Sequence, residues 1–113
     1  MADLPEETVT TVLALQRRLL SIINEATKLA WMIFEAFGET DETLAELEEL
    51  HNIQEKATSY YIRLYRLLLQ SFEAQPQVTS ATLGLLAQSI AQTQAAADAG
   101  DASNRDIRRN WNL

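Results

Sequence analysis

Val12, Leu15, Leu19, Ile22, Ala26, Leu29, Ile33 and Ala36 fall at alternating steps of three and four residues. This seam repeats every seven residues over about four heptads, the spacing that keeps one stripe of a long helix against a partner helix. It constrains architecture strongly and carries no chemistry of its own.

The seam lies in a segment that opens at Pro5-Glu6-Glu7 and stops at Gly38. Proline suits a first helical turn, acids there complement the helix dipole, and glycine is a common helix end. A helix of roughly 32 residues is about 48 Å long at ~1.5 Å per residue. A compact chain of this size would have a radius of gyration of about 13 Å, so an extended arrangement is expected. Thr40 or Asp41 caps a second helix, whose core face reads Leu44, Leu47, Leu50, Ile53, Ala57, Tyr60, Leu64 and Leu67. It should end near Phe72, before Gln75-Pro76. The short link predicts an antiparallel hairpin.

A weaker third helix is expected from Thr79 or Ser80 to about Ala97, anchored by Leu83, Leu86 and Ile90. Gly84, Ala87, Ala91 and Ala95 could let another backbone approach, or could simply face solvent. Asp98 to Ser103 reads as a linker. The expectation is therefore an all-α fold: a long antiparallel hairpin plus a shorter third helix, a three-helix bundle completed by dimerisation. The division is a helical bundle domain over 1–100 and a basic, tryptophan-bearing tail over 101–113.

Only two prolines and three glycines among 113 residues suit a helical globule. The net charge of −7 disfavours electrostatic binding of nucleic acid or anionic membrane by the chain as a whole. The absence of cysteine excludes disulfides, thiolate catalysis and Cys-based metal sites. The acidic start MADLPEE is unlike a secretory signal and no apolar run reaches membrane-spanning length, so a cytoplasmic location and no membrane partner are expected.

Three surfaces stand out. The end of the first helix is apolar nearly all round, with Leu29, Trp31, Met32, Phe34 and Phe37. Such an end needs covering on several sides, and a second copy or another protein is expected to supply part of the cover. Charge is also polarised. Seven acids and no lysine or arginine lie between Glu39 and Glu55. In a hairpin, Arg17 and Arg18 would share a level with Arg63 and Arg66, beside Tyr60, Tyr61 and Tyr65, forming a basic belt. The belt could bind a protein, grip phosphates or merely snorkel beside the core. Last, Arg105, Arg108, Arg109 and Trp111 make a basic tail that either docks on a partner or folds back onto its own hairpin, with Ile107 beside Trp111.

Glu48-x-x-His51 is a Glu-x-x-His pair on one helix face, and Glu25 falls near its level in a hairpin. Duplicated in a dimer, this set resembles ferritin-like metal sites in arrangement; an acidic solvated face is the plainer reading. Glu46-x-x-Glu49 opens like the motif of all-helical nucleotide pyrophosphohydrolases, but the second Glu-x-x-Asp does not follow. The layout is similar to all-helical chorismate mutases, yet the opening of helix two is acidic where they need bases. The expected function is a non-enzymatic helical assembly or adaptor subunit acting through protein–protein contacts, without a cofactor. The alternatives are a nucleoprotein subunit that uses the arginine belt and a ferritin-like dimeric metal-binding bundle.

Overall fold

The computed structural model describes residues 3–113. They form three helices, α1 (Glu6–Phe37), α2 (Asp41–Glu73) and α3 (Ser80–Asn110). Gln54 Nε2 donates to Thr27 Oγ1 at 2.9 Å, and the Leu4 N–H donates to Gln75 Oε1 at 3.3 Å. α2 therefore runs back along α1. Arg63 of α2 meets Gln92 of α3, and Arg18 of α1 meets Asp101, so α3 returns beside both. The result is a rod of 55 × 18 × 16 Å with a radius of gyration of 17.2 Å.

The α1 seam is the core from Val12 to Ile33: every member up to Ile33 is buried. Ala36, its last expected member, is exposed. α2 contributes Leu50, Ile53, Ala57 and Leu64, and α3 contributes Leu86, Ala97 and Ile107. Leu4 and Val78, both outside the helices, join the same cluster. Truncating a fully buried leucine in such a cluster to alanine typically costs about 2–5 kcal/mol.

The link between α1 and α2 is short and well satisfied. Gly38 has φ 70° and ψ −158°, a backbone region open to glycine, and its N–H bonds to Phe34 O at 2.9 Å. Thr40 then opens α2 with a capping box. Its side chain accepts from the Thr43 N–H at 3.1 Å, while its own N–H donates to Thr43 Oγ1 at 2.7 Å. Thr43 Oγ1 also donates to Gly38 O, and the residue is buried. Thr43 thus occupies the inward position expected of Leu44, which is half exposed.

α3 departs most from expectation. It is as long as the others and runs without a break through the expected linker, Asp98 to Ser103. Residues 101–110 are its last turns rather than a separate tail. Its inward positions are Leu86, Ser89, Thr93, Ala97, Asn104 and Ile107, with Gly100 on the same stripe. The stripe keeps the seven-residue spacing but has few large side chains, which is why the sequence pattern fades after Ile90. A Cβ on Gly100 would stand 3.2 Å from Ile22 Cγ2, so this glycine sets how closely α3 approaches α1. Gly84 meets nothing within 4 Å, and Ala87, Ala91 and Ala95 are exposed. The expected small-residue stripe therefore faces outward, and close approach occurs one face away.

Candidate interaction surfaces

The groove between α1 and α3 is a zipper of opposite charges. Arg18 donates from Nη2 to Asp98 Oδ1 at 2.6 Å, and from Nε and Nη2 to Asp101 Oδ2 at 3.0 and 2.7 Å. Its hydrogen bonds to Asp98 and then to Asp101 hold the guanidinium above its ordinary pKa. Two turns along, Arg108 donates from Nε to Glu25 Oε1 at 3.0 Å, and its Nη2 contacts the same oxygen. Between them the buried Asn104 donates from Nδ2 to Ile22 O at 3.2 Å. The signs alternate, positive then negative on α1 and negative then positive on α3. A slip of two turns would bring Arg18 opposite Arg108 or Glu25 opposite Asp101 and so oppose like charges.

The C-terminal residues close the turn end of the rod. Trp111 stacks on Phe37, with ring centroids 5.1 Å apart and planes tilted by 57°. Its Nε1–H donates to Glu46 Oε2 at 3.1 Å. Asn112 takes a left-handed φ of 60°, and the Leu113 N–H returns to Arg108 O at 2.9 Å, ending the helix. Trp111 and Arg108 are thus engaged within their own chain, a correction to their assignment as partner-binding groups. Arg105 and Arg109 remain exposed, and Arg109 lies 3.7 Å from Asp106.

The arginine belt is divided. Arg18 is spent in the α1/α3 groove, Arg17 is exposed on α1, and Arg63 and Arg66 line the groove between α2 and α3. That last groove has a volume of about 700 Å³, and its walls include Ile62, Leu67, Leu85 and Ser89. Arg63 donates to Gln92 Oε1 at 3.1 Å and lies over the Tyr60 ring, 5.6 Å from its centroid. The ion pairs of the described residues use Arg18, Arg108, Arg109 and His51, leaving Arg63 and Arg66, like Arg17, Lys28, Lys56 and Arg105, without a carboxylate. Ser89 Oγ, in the wall, is buried and has no hydrogen-bond partner.

The expected apolar assembly end is also reduced. Leu29 is fully buried in the core and cannot serve as an interface residue. Phe37 stacks on Trp111 yet stays 48% exposed, beside Trp31 at 64% and Phe34 at 43%, with Met32 half buried among them. Leu13 and Leu20 are exposed farther along the same helix.

A second outward seam went unread in the sequence. Ile62, Tyr65, Leu69 and Phe72 step by three, four and three along α2 and are all 41–53% exposed. The signal was available in their spacing of three, four and three along the helix.

The metal arrangement does not form. Glu25 is paired with Arg108 across the α1/α3 groove, whereas His51 Nε2 lies 3.1 Å from Glu55 on exposed α2 surface. Among the described residues no cluster of three or more His, Cys, Asp or Glu side chains could hold a metal ion. No described helix is long and apolar enough to cross a membrane.

Fold and surfaces together define an all-α helical bundle with outward apolar seams. Comparison with protein-family models, curated proteins and solved structures gives no match to this chain.

Proposed function

We propose that the chain is a non-enzymatic helical assembly or adaptor subunit that works through protein–protein contacts. The observation that carries this reading is the regular placement of exposed large apolar residues. They sit at helical seam spacing on α1 (Leu13, Leu20, Trp31, Phe34) and on α2 (Ile62, Tyr65, Leu69, Phe72) rather than singly. Scattered apolar residues are ordinary on a protein surface, but seams of them are the form in which helices meet partner helices. The ion pairs between α1 and α3 support the same role, because they tie α3 alongside α1 and so help hold the rod that presents the seams.

The test is solution mass by light scattering across a concentration series. The wild type is expected to exceed one chain mass of 12.7 kDa. One of two surface variants, Trp31→Glu with Phe34→Glu or Tyr65→Glu with Leu69→Glu, is expected to lose that excess while keeping its helical signal. A monomeric wild type, or an assembly indifferent to both variants, overturns the proposal.

A further inference from the structure

α2 is divided near its midpoint by charge. From Asp41 to Glu55 it carries acids and no lysine or arginine; from Lys56 onward it carries Lys56, Arg63 and Arg66, and its one acid there is Glu73 at the very end. The boundary falls between Glu55 and Lys56, beside Ala57 at the centre of a helix that runs from Asp41 to Glu73. Two such helices laid antiparallel and centred together bring each acidic half onto the other's basic half. The match occurs twice, once on each side of a two-fold axis, so the pairing closes as a dimer.

The outward surface of α2 suits that arrangement. Leu44 is 50% exposed near the acidic end, and Ile62, Tyr65, Leu69 and Phe72 are exposed in the basic half. Glu48 and Glu55 are exposed between them. With the helices centred near residue 57, Glu48 comes opposite Arg66, and Leu44 comes opposite Gln70, which lines the groove together with Leu85. Leu85 is 55% exposed and Arg66 has no carboxylate of its own.

We infer that the α2 face and the α2/α3 groove of this chain receive α2 of a second copy, antiparallel, with Glu48 of one copy opposite Arg66 of the other and Glu55 one turn from Arg63. This rests on the assembly reading above and names the face and partner it uses. The axis passes near Thr58, an exposed residue in a chain without cysteine.

Charge exchange tests the pairing. Arg63→Glu/Arg66→Glu and Glu48→Arg/Glu55→Arg alter exposed positions only, and circular dichroism verifies that each variant folds. The wild type should weigh two chains, each variant alone should weigh one, and an equimolar mixture should regain the two-chain mass as a heterodimer. In parallel, Thr58→Cys should form disulfide-linked dimers under mild oxidation, whereas Leu44→Cys, far from the axis, should not. A dimer whose mass survives both charge reversals overturns this pairing but leaves the assembly reading standing on another face. A wild type that is monomeric at every concentration and binds no stapled peptide of residues 41–58 overturns both. A monomer that nevertheless binds a stapled peptide of residues 41–58, with loss in Arg63→Glu/Arg66→Glu, overturns self-pairing and assigns the groove to a foreign acidic helix.

Discussion

Two glycines of α3 show how position decides what a residue contributes. Gly84 lies on open surface, where a side chain meets nothing, so Gly84→Ala should stabilise the fold by about 0.5–1 kcal/mol through helix propensity. Gly100 lies against Ile22, a β-branched side chain fixed in the core. Gly100→Val cannot be accommodated without moving α3 from α1 and should cost about 1–3 kcal/mol in urea unfolding. Thr93 makes the opposite case for a polar group. It is fully buried and its Oγ1 has no partner, so Thr93→Val should raise stability by about 1 kcal/mol. A loss of stability in that variant would mean that the hydroxyl is bonded in solution.

The α3 helix shows what an element gains from contacts at its far end. Its last turns hold Asn104, Ile107, Arg108 and, just beyond, Trp111, each touching or packed against another part of the rod. Trp111→Ala removes the stack on Phe37 and the bond to Glu46. It should lower stability by about 2–4 kcal/mol and speed amide exchange near residues 37–46. Arg18→Gln breaks a partly exposed pair with two carboxylates and should cost about 0.5–1 kcal/mol, less at high salt. The sign of its pH dependence follows from the raised pKa of Arg18. Such a group stabilises fully below its unfolded value and loses that contribution only as pH rises through the folded one. For arginine both values lie in strong alkali, so its charge contributes equally at neutral and mildly alkaline pH. Urea unfolding of wild type and Arg18→Gln between those conditions checks this.

At the scale of the whole molecule, shape and charge combine. The chain is a rod 55 Å long with its acids gathered toward the turn end. Side-by-side pairing through α2 keeps the maximum dimension near the length of one rod, whereas joining at the apolar end of α1 would roughly double it. Small-angle scattering of the assembled protein separates the two. A maximum dimension near 55 Å is expected.

How much of this was legible depended on side-chain size. α1 and α2 could be placed from their leucines and isoleucines, from Gly38 and from the threonine cap, because large apolar residues at a helical period are a local signal with one efficient use. The fold class and the acidic run followed from the same local information. α3 could not be placed in full. Its inward stripe of Ser89, Thr93, Ala97, Gly100 and Asn104 carries almost no hydrophobic signal, and its value comes from the neighbour it admits. The surface arginines were visible as residues but not as a site. Whether an arginine is occupied depends on carboxylates more than eighty positions away, as with Arg18 and Asp101. Likewise, the seam of α1, Leu29 included, was written in the sequence, but the contact of Phe37 with Trp111 was decided by the far end of α3 arriving at the turn. Periodicity determines which face of a helix turns inward. Only packing determines which outward groups are then left without a partner, because that depends on what arrives from the rest of the chain.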